Sequence, residues 1–252
     1  MKKVSILFLF IVMIVIALSG RNHTDIYIDD PNKDDVVHAR LQNEIEIQTF
    51  DTTKQPRSIY LTRVPSRVFV SEGSILESLL ALGQSKKIIA ASISGASSGA
   101  YDRLRQTYPD EIENIPHIAP HGMNREQVVG YAPDFMLGWQ SAFTLSRFGT
   151  VSWWQERGVN TYIAATSNRV LEYGTIEDEC KFLDDLGRIF AVKDQTDEMI
   201  RAIYAELDQD AELVAGKTAQ SVMVIEINGR TITNYDDRWL VGDMVKRLGG
   251  NM

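Results

Sequence analysis

The chain has 252 residues, 44% hydrophobic and 24% charged, a globular balance with apolar material for one or two domains and no low-complexity tract. A net charge of −8 with no basic cluster argues against nucleic acid as a partner. The single cysteine, Cys180, excludes an internal disulfide, so an exported chain of this kind must rely on its core.

Residues 1–20, MKKVSILFLFIVMIVIALSG, place two lysines before an apolar run and end in small residues. This is the pattern of a secretory signal, or of an N-terminal anchor where it is not cleaved, and the run is short for a spanning helix. Export to the periplasm or to the outer face of the cytoplasmic membrane is expected, with membrane contact through this segment. Arg21 stands where a lipoprotein signal carries cysteine, so lipid attachment is not supported. Residues 21–43 are polar and acidic without periodicity and are expected to form a flexible tether, with His23 and His38 solvated.

From Glu44 the chain alternates. EIEIQTF reads as a strand, TTKQP as a turn and SIYL as its partner. RVFVS at 67–71 is a further strand, and SEGSILESLLALG places Ile75, Leu76, Leu79 and Leu80 on one helical stripe that Gly83 ends. KKIIAAS repeats the strand, and 97–108 forms a short helix. Units of this kind predict a parallel sheet with right-handed crossovers. Asn124 caps a short helix that Pro133 keeps from continuing, DFMLGW is a compact strand, and a helix around 152–157 leads to the strand NTYIAA.

The longest helical pattern is TIEDECKFLDDLGRIFAV at 175–192. Ile176, Cys180, Leu183, Ile189 and Phe190 form its stripe, Thr175 is its N-cap with Asp178 in a variant capping box, and Glu177 and Glu179 suit the electropositive first turn. A second helix over 196–215 precedes SVMVIEI, which restarts a strand. The layout is an N-terminal α/β lobe at 44–174, a bridging helix and following helix at 175–216, and the start of a C-terminal lobe at 217–252.

In open parallel sheets, ligands sit beyond the carboxyl ends of the strands, here the stretches 71–74, 92–101, 121–124, 139–143 and 165–169. His117 and His121 have a metal-ligand spacing only if helical, and Pro116, Pro120 and Gly122 oppose a helix, so no metal site is expected. The run from Ser94 to Gly99, SGASSG, suits close backbone approach to a ligand but matches no nucleotide-binding pattern. Trp139, Tyr101 and Phe143 are aromatics near strand ends, with Trp139 read as a ligand contact. Arg103, Arg105, Arg125 and Arg147 are read as solvated charges. There is no GxSxG elbow or paired-carboxylate constellation, so neither an enzyme nor a cofactor is expected.

The order of segments resembles the substrate-binding proteins of ABC importers for iron complexes, the family of ferric-siderophore, haem and cobalamin binders. The matching pieces are PSRVFV with SILESLLALG, HGMNREQVVGYAPDFMLGW, WWQERGVNTYIAA, TIEDECKFLDDLGRIFAV and WLVGDMVKRLGGN, which together span about 44–252. The resemblance implies two Rossmann-like α/β lobes joined by a long bridging helix, a ligand held between them, and delivery to ABC permease subunits. It also implies further strands and helices after Gly-Gly-Asn, so the second lobe is expected to be incomplete. Ligand-facing positions carried onto this chain are Ser71, Glu72, Gly73, Ser94, Gly95, Tyr101, His121, Gly122, Trp139 and Gln140. The family docks its permease through acidic side chains on each lobe, and QSAFTLSRFGTV after the Trp139 strand contains none. The expected ligand is a metal chelate, a ferric siderophore first, with haem or cobalamin as alternatives. A truncated paralogue that does not transport and acts as a surface interaction or sensing domain is the competing expectation.

Overall fold

The computed structural model describes residues 40–93, 98–228 and 230–252. The expected signal, most of the tether, His23, His38, Ser94 and Gly95 lie outside the described residues. At its centre is a parallel sheet of five strands, β3 (Val68–Val70), β4 (Ile88–Ser92), β5 (His117–Ala119), β6 (Phe135–Gly138) and β7 (Asn160–Ile163), in the order β5-β4-β3-β6-β7. Strands this short are buried on both faces because helices cover both. The side-chain period of two sorts their apolar residues into two cores. Val68, Val70, Phe135 and Leu137 enter one, while Phe69, Ala90, Met136 and Ile163 enter the other.

Before the sheet comes an antiparallel hairpin of β1 (Arg40–Phe50) and β2 (Pro56–Arg63). Strand β1 starts four residues before the Glu44 read from the sequence, so the tether's last residues, 40–43, already lie in the strand, with Arg40 opposite Arg63 and the register shifting before Ile45. The hairpin is fastened to β7 by the buried Thr49, whose hydroxyl accepts from Ile163 N at 2.9 Å. The helix α1 (Gly73–Ala81) buries Ile75, Leu76, Leu79 and Leu80 as one stripe, and Gly83 beyond its end takes the left-handed φ of +66 that closes such helices. The helices α2 (Ser98–Thr107) and α3 (Pro109–Glu113) follow β4, and α4 (Arg125–Gly130) opens on a full capping box between Asn124 and Gln127. The last helix of this lobe is α5 (Val151–Gln155).

The bridging helix α6 (Ile176–Phe190) starts at the expected cap, where Asp178 N donates to Thr175 Oγ1 and the Asp178 carboxylate accepts from Thr175 N at 2.8 Å. It stops two residues short of the expected Val192, because Ala191 turns left-handed at φ +57. The 22-residue α7 (Lys193–Val214) then packs back on it at Gly187, where a Cβ would lie 2.1 Å from Thr196 Oγ1. The bridge is therefore a helix pair rather than one rod. Its apolar face, with Ile176, Cys180, Leu183 and Leu186, belongs to the same core as the sheet.

The second lobe comprises a parallel pair of β8 (Gln220–Ser221) and β11 (Gly250–Asn251), a hairpin of β9 (Val224–Asn228) and β10 (Thr231–Tyr235), and the helix α8 (Leu240–Arg247). It is held to the start of α6: Asp243 of α8 accepts from Ile176 N at 3.0 Å, Arg247 pairs with Glu177 at 2.6 Å, and Met244 enters the main core. The run SVMVIEI thus restarts a strand as expected, but as a hairpin partner with its apolar side exposed. No helix among the described residues is long and apolar enough to cross a membrane.

Candidate functional site

The sheet order reverses around β3: the chain steps outward to β4 and β5, then returns to β6 and β7 on the other side. Ligands in open sheets occupy the crevice at such a reversal, beyond the carboxyl ends of the two diverging strands. Here that crevice lies between the residues after β3, which are Ser71, Glu72 and Gly73, and those after β6, which are Trp139 and Gln140.

Ser71 continues the ladder through N–H donation to Leu137 O at 2.9 Å, and its buried hydroxyl has no hydrogen-bond partner. A Cβ at Gly138 would stand 2.2 Å from that hydroxyl and 3.2 Å from Ala142 and Phe143, so only glycine lets the two strands close at this point. Glu72 is the N-cap of α1 in extended backbone, but no side chain caps the helix. Burial pushes its carboxyl up to about 7, against a smaller opposing pull from Arg147. Gly73 sits tightly behind it, where a Cβ would meet Ile93 at 3.1 Å.

Trp139 stands just past β6 with 39% of its surface exposed. Gln140 beside it is occupied: its backbone N donates to Ser167 Oγ at 3.1 Å, and its Nε2 donates to Thr52 O at 2.7 Å. It braces the hairpin tip against the β7 loop. His121 lies on an exposed turn after β5, and Gly122 supplies the φ of +94 that the turn requires. The same loop is held to β4 by Met123 N donating to Ser92 Oγ at 3.2 Å. Tyr101, in the first part of α2, packs partly against the main core, with the Arg105 guanidinium 5.9 Å from its ring centroid. The structure thus gathers Ser71, Glu72, Gly73, His121, Gly122 and Trp139 along one edge. It turns Gln140 toward the hairpin and Tyr101 toward the core. His117 stacks on Tyr131 at 4.2 Å, and among the described residues no cluster of three or more His, Cys, Asp or Glu is arranged to hold a metal ion.

Two residues that sequence reasoning did not single out face each other across the lobes. The Arg169 guanidinium, from the loop after β7, lies 5.8 Å from the ring centroid of Trp239, the residue that precedes α8. Tyr235 meets the same indole edge-on at 5.1 Å. Arg238 beside them pairs with Asp236 and holds that carboxyl down at about 2, with Arg169 contributing. The sequence puts 165–169 at the strand ends and WLVGDMVKRLGGN in the second lobe, but no spacing rule joins positions seventy residues apart.

No family model and no curated protein matches this chain. Solved structures do. A periplasmic binding protein from Veillonella parvula superposes with a TM-score of 0.75 at 27% identity, covering 88% of this chain and 69% of its own. A siderophore-binding protein solved with ferric iron and two molecules of acinetobactin gives 0.57 at 15% identity, covering 83% and 67%. A periplasmic haem-binding protein from Pseudomonas aeruginosa gives 0.55 at 19% identity, covering 75% and 62%. The chain spans about two thirds of the length of these proteins. In fold the chain is similar to these periplasmic binding proteins.

Proposed function

We propose that this chain is an extracytoplasmic solute-binding protein that captures a metal chelate, a ferric siderophore, and presents it to the permease of an ABC importer. The observation that carries this reading is the crevice where the sheet order reverses. It lies between Ser71, Glu72 and Gly73 after β3 and the partly exposed Trp139 after β6, at the carboxyl edge of the sheet. The relatives whose names state a ligand include binders of a ferric siderophore and of haem, which supports a chelate of that size. The ten positions from Ser71 to Gln140 carried over from the resemblance remain the proposed ligand-facing set, with Gln140 acting through the loop it braces.

The test is a thermal-shift series on the full chain with ferric siderophores, haem and cobalamin. A ligand selective for the folded state, at about a hundred times its dissociation constant, stabilises by about 2.7 kcal/mol. For a chain of this size that is a rise of roughly 5–10 °C. Trp139→Ala is expected to weaken the responding ligand about tenfold, a loss of ~1.4 kcal/mol, while leaving the unliganded melting point in place. No shift with any of the three ligand classes would overturn the assignment. The competing reading, a surface interaction domain that does not transport, draws on the exposed apolar side of the β9–β10 hairpin and predicts no chelate response at all.

A further inference from the structure

Lys54 stands where a hairpin of this kind ordinarily carries glycine. Asp51 N donates to Gln55 O at 2.8 Å, which leaves Thr52, Thr53 and Lys54 as the loop between β1 and β2, and Lys54 closes that loop at φ 68. The last position of such a loop turns left-handed, and a residue with a Cβ is strained there. The loop after β7 shows the same departure twice in succession, with Asn168 at φ 48 and Arg169 at φ 52. Backbone of this sort persists only where its surroundings impose it.

Each loop is the other's surroundings. Lys54 Nζ donates to the carbonyls of Asn168 at 2.7 Å and Arg169 at 3.2 Å, so glycine at this position would relax the turn but lose both bonds. The hairpin side is stiffened by Asp51, whose carboxylate accepts from Thr53 N at 2.7 Å and Gln55 N at 3.0 Å. Between the two loops runs the segment that follows β6. Gln140 N donates to Ser167 Oγ at 3.1 Å and Ser141 N to Asn168 Oδ1 at 3.0 Å on one side. On the other, Gln140 Nε2 donates to Thr52 O at 2.7 Å, and Thr52 Oγ1 accepts from Val151 N at 2.9 Å where the rim enters α5. Both loops therefore grip the chain at the residue after Trp139. With 39% of its surface exposed, the Trp139 side chain is only partly held by packing, and the backbone that carries it supplies the rest.

We propose that Lys54 is a positioning residue for the crevice: by fastening the hairpin tip to the loop after β7 it fixes Gln140 and Ser141, and through them the indole of Trp139, so that this wall is set before a ligand arrives. The proposal rests on the chelate-capture reading and gives the hairpin that precedes the sheet a part in it. A wall ordered in advance binds more tightly, because the competent arrangement is not a fraction of the population and no loop has to be ordered on binding.

The experiment labels the full chain with 5-fluorotryptophan, which gives a fluorine resonance for each of its four tryptophans, and compares three variants. Lys54→Met keeps the aliphatic stem and removes the donors, Lys54→Gly also relieves the left-handed strain, and Lys54→Arg keeps donors at the end of the stem. The Trp139 line, assigned through Trp139→Phe, is expected to broaden or split in Lys54→Met and Lys54→Gly and to match the parent in Lys54→Arg. The line of Trp154, whose Nε1 donates to Phe148 O at 2.8 Å in the interior, is expected to stay in place throughout. A merely structural role would follow stability instead. Lys54→Gly, with its strain relieved, melts above Lys54→Met, so the two variants would then differ and Trp154 would respond together with Trp139. That pattern, or a Trp139 line unchanged in both variants, would overturn the proposal. In a second arm, ferrichrome and ferric enterobactin are titrated by calorimetry. Whichever chelate the parent binds is expected to bind about three- to tenfold more weakly to Lys54→Met and Lys54→Gly, and as in the parent to Lys54→Arg. Equal binding by the parent and all three variants would overturn the proposal. Should neither chelate bind the parent while the fluorine pattern holds, chelate capture fails and the positioning of Trp139 by Lys54 stands.

Discussion

At position 72 a carboxylate stands half-buried beside the crevice, and its cost can be read from pH. Burial raises the Glu72 carboxyl to about 7 in the folded chain, whereas unfolding returns it to the ordinary range near 4.5. Between those values the folded state binds the extra proton, so this residue makes stability fall as pH rises from about 4.5 to about 7, with no further change above. Allowing for solvent screening of a half-buried group, the loss is about 1–2 kcal/mol. Glu72→Gln is expected to recover that amount at pH 8 and to flatten the decline, as measured by denaturant melts across pH 4 to 8. A decline unchanged in the variant would show that other groups produce it. The sequence places Glu72 at a strand end, but not its environment, because the burial comes from chain folded over it from elsewhere. Gln140 makes the same point. Its position after β6 reads as a ligand contact, yet Thr52, 88 residues earlier, takes its side chain.

Helix α6 was the most legible element, since its stripe, its cap and its acidic first turn are all local signals, and each is present in the structure. Its end was less so. Ala191 adopts the left-handed conformation usually given to glycine, because the tight return of α7 onto Gly187 imposes it. A charge on the buried side was not legible at all. Asp185 is almost fully enclosed, accepts from Tyr162 OH of β7 at 2.8 Å and from Lys181 Nζ at 2.6 Å, and has Arg188 at 3.7 Å. The contact keys the bridge to the last strand of the first lobe, and the negative charge together with burial pushes the Tyr162 hydroxyl well above its ordinary range. Removing the carboxylate leaves that hydroxyl in the interior without a partner. Asp185→Ala is therefore expected to cost about 3 kcal/mol, and Tyr162→Phe to cost about 1–3 kcal/mol, since it leaves the carboxylate short of a donor. Equal, small losses in urea melts of both variants would mean that the pair does not anchor the bridge.

At the scale of the molecule the two lobes are covered unequally. The first has helices on both faces of its sheet, and the alternation of Val68, Phe69 and Val70 between two cores follows from that. In the second, the β9–β10 pairing puts Ile225, Ile227 and Ile232 on one face of a two-stranded ribbon, with Ile227 directly opposite Ile232. Ile227 and Ile232 are each 67% exposed and Ile225 is 50% exposed. The other face carries the Tyr235 to Glu226 hydrogen bond at 2.5 Å and needs no cover. The sequence marked SVMVIEI as a strand because β-branched residues alternate there, but strand propensity says nothing about what lies against it. A hairpin with a contiguous apolar side in water binds hydrophobic probes and favours association. Ile227→Thr with Ile232→Thr keeps β-branched residues in both strands while removing most of that apolar surface. The double variant is expected to lower the binding of a hydrophobic dye severalfold and to shift sedimentation of the concentrated full chain toward the monomer, while the chelate response stays as in the parent. Unchanged dye binding and sedimentation would show that the apolar side of this ribbon drives neither.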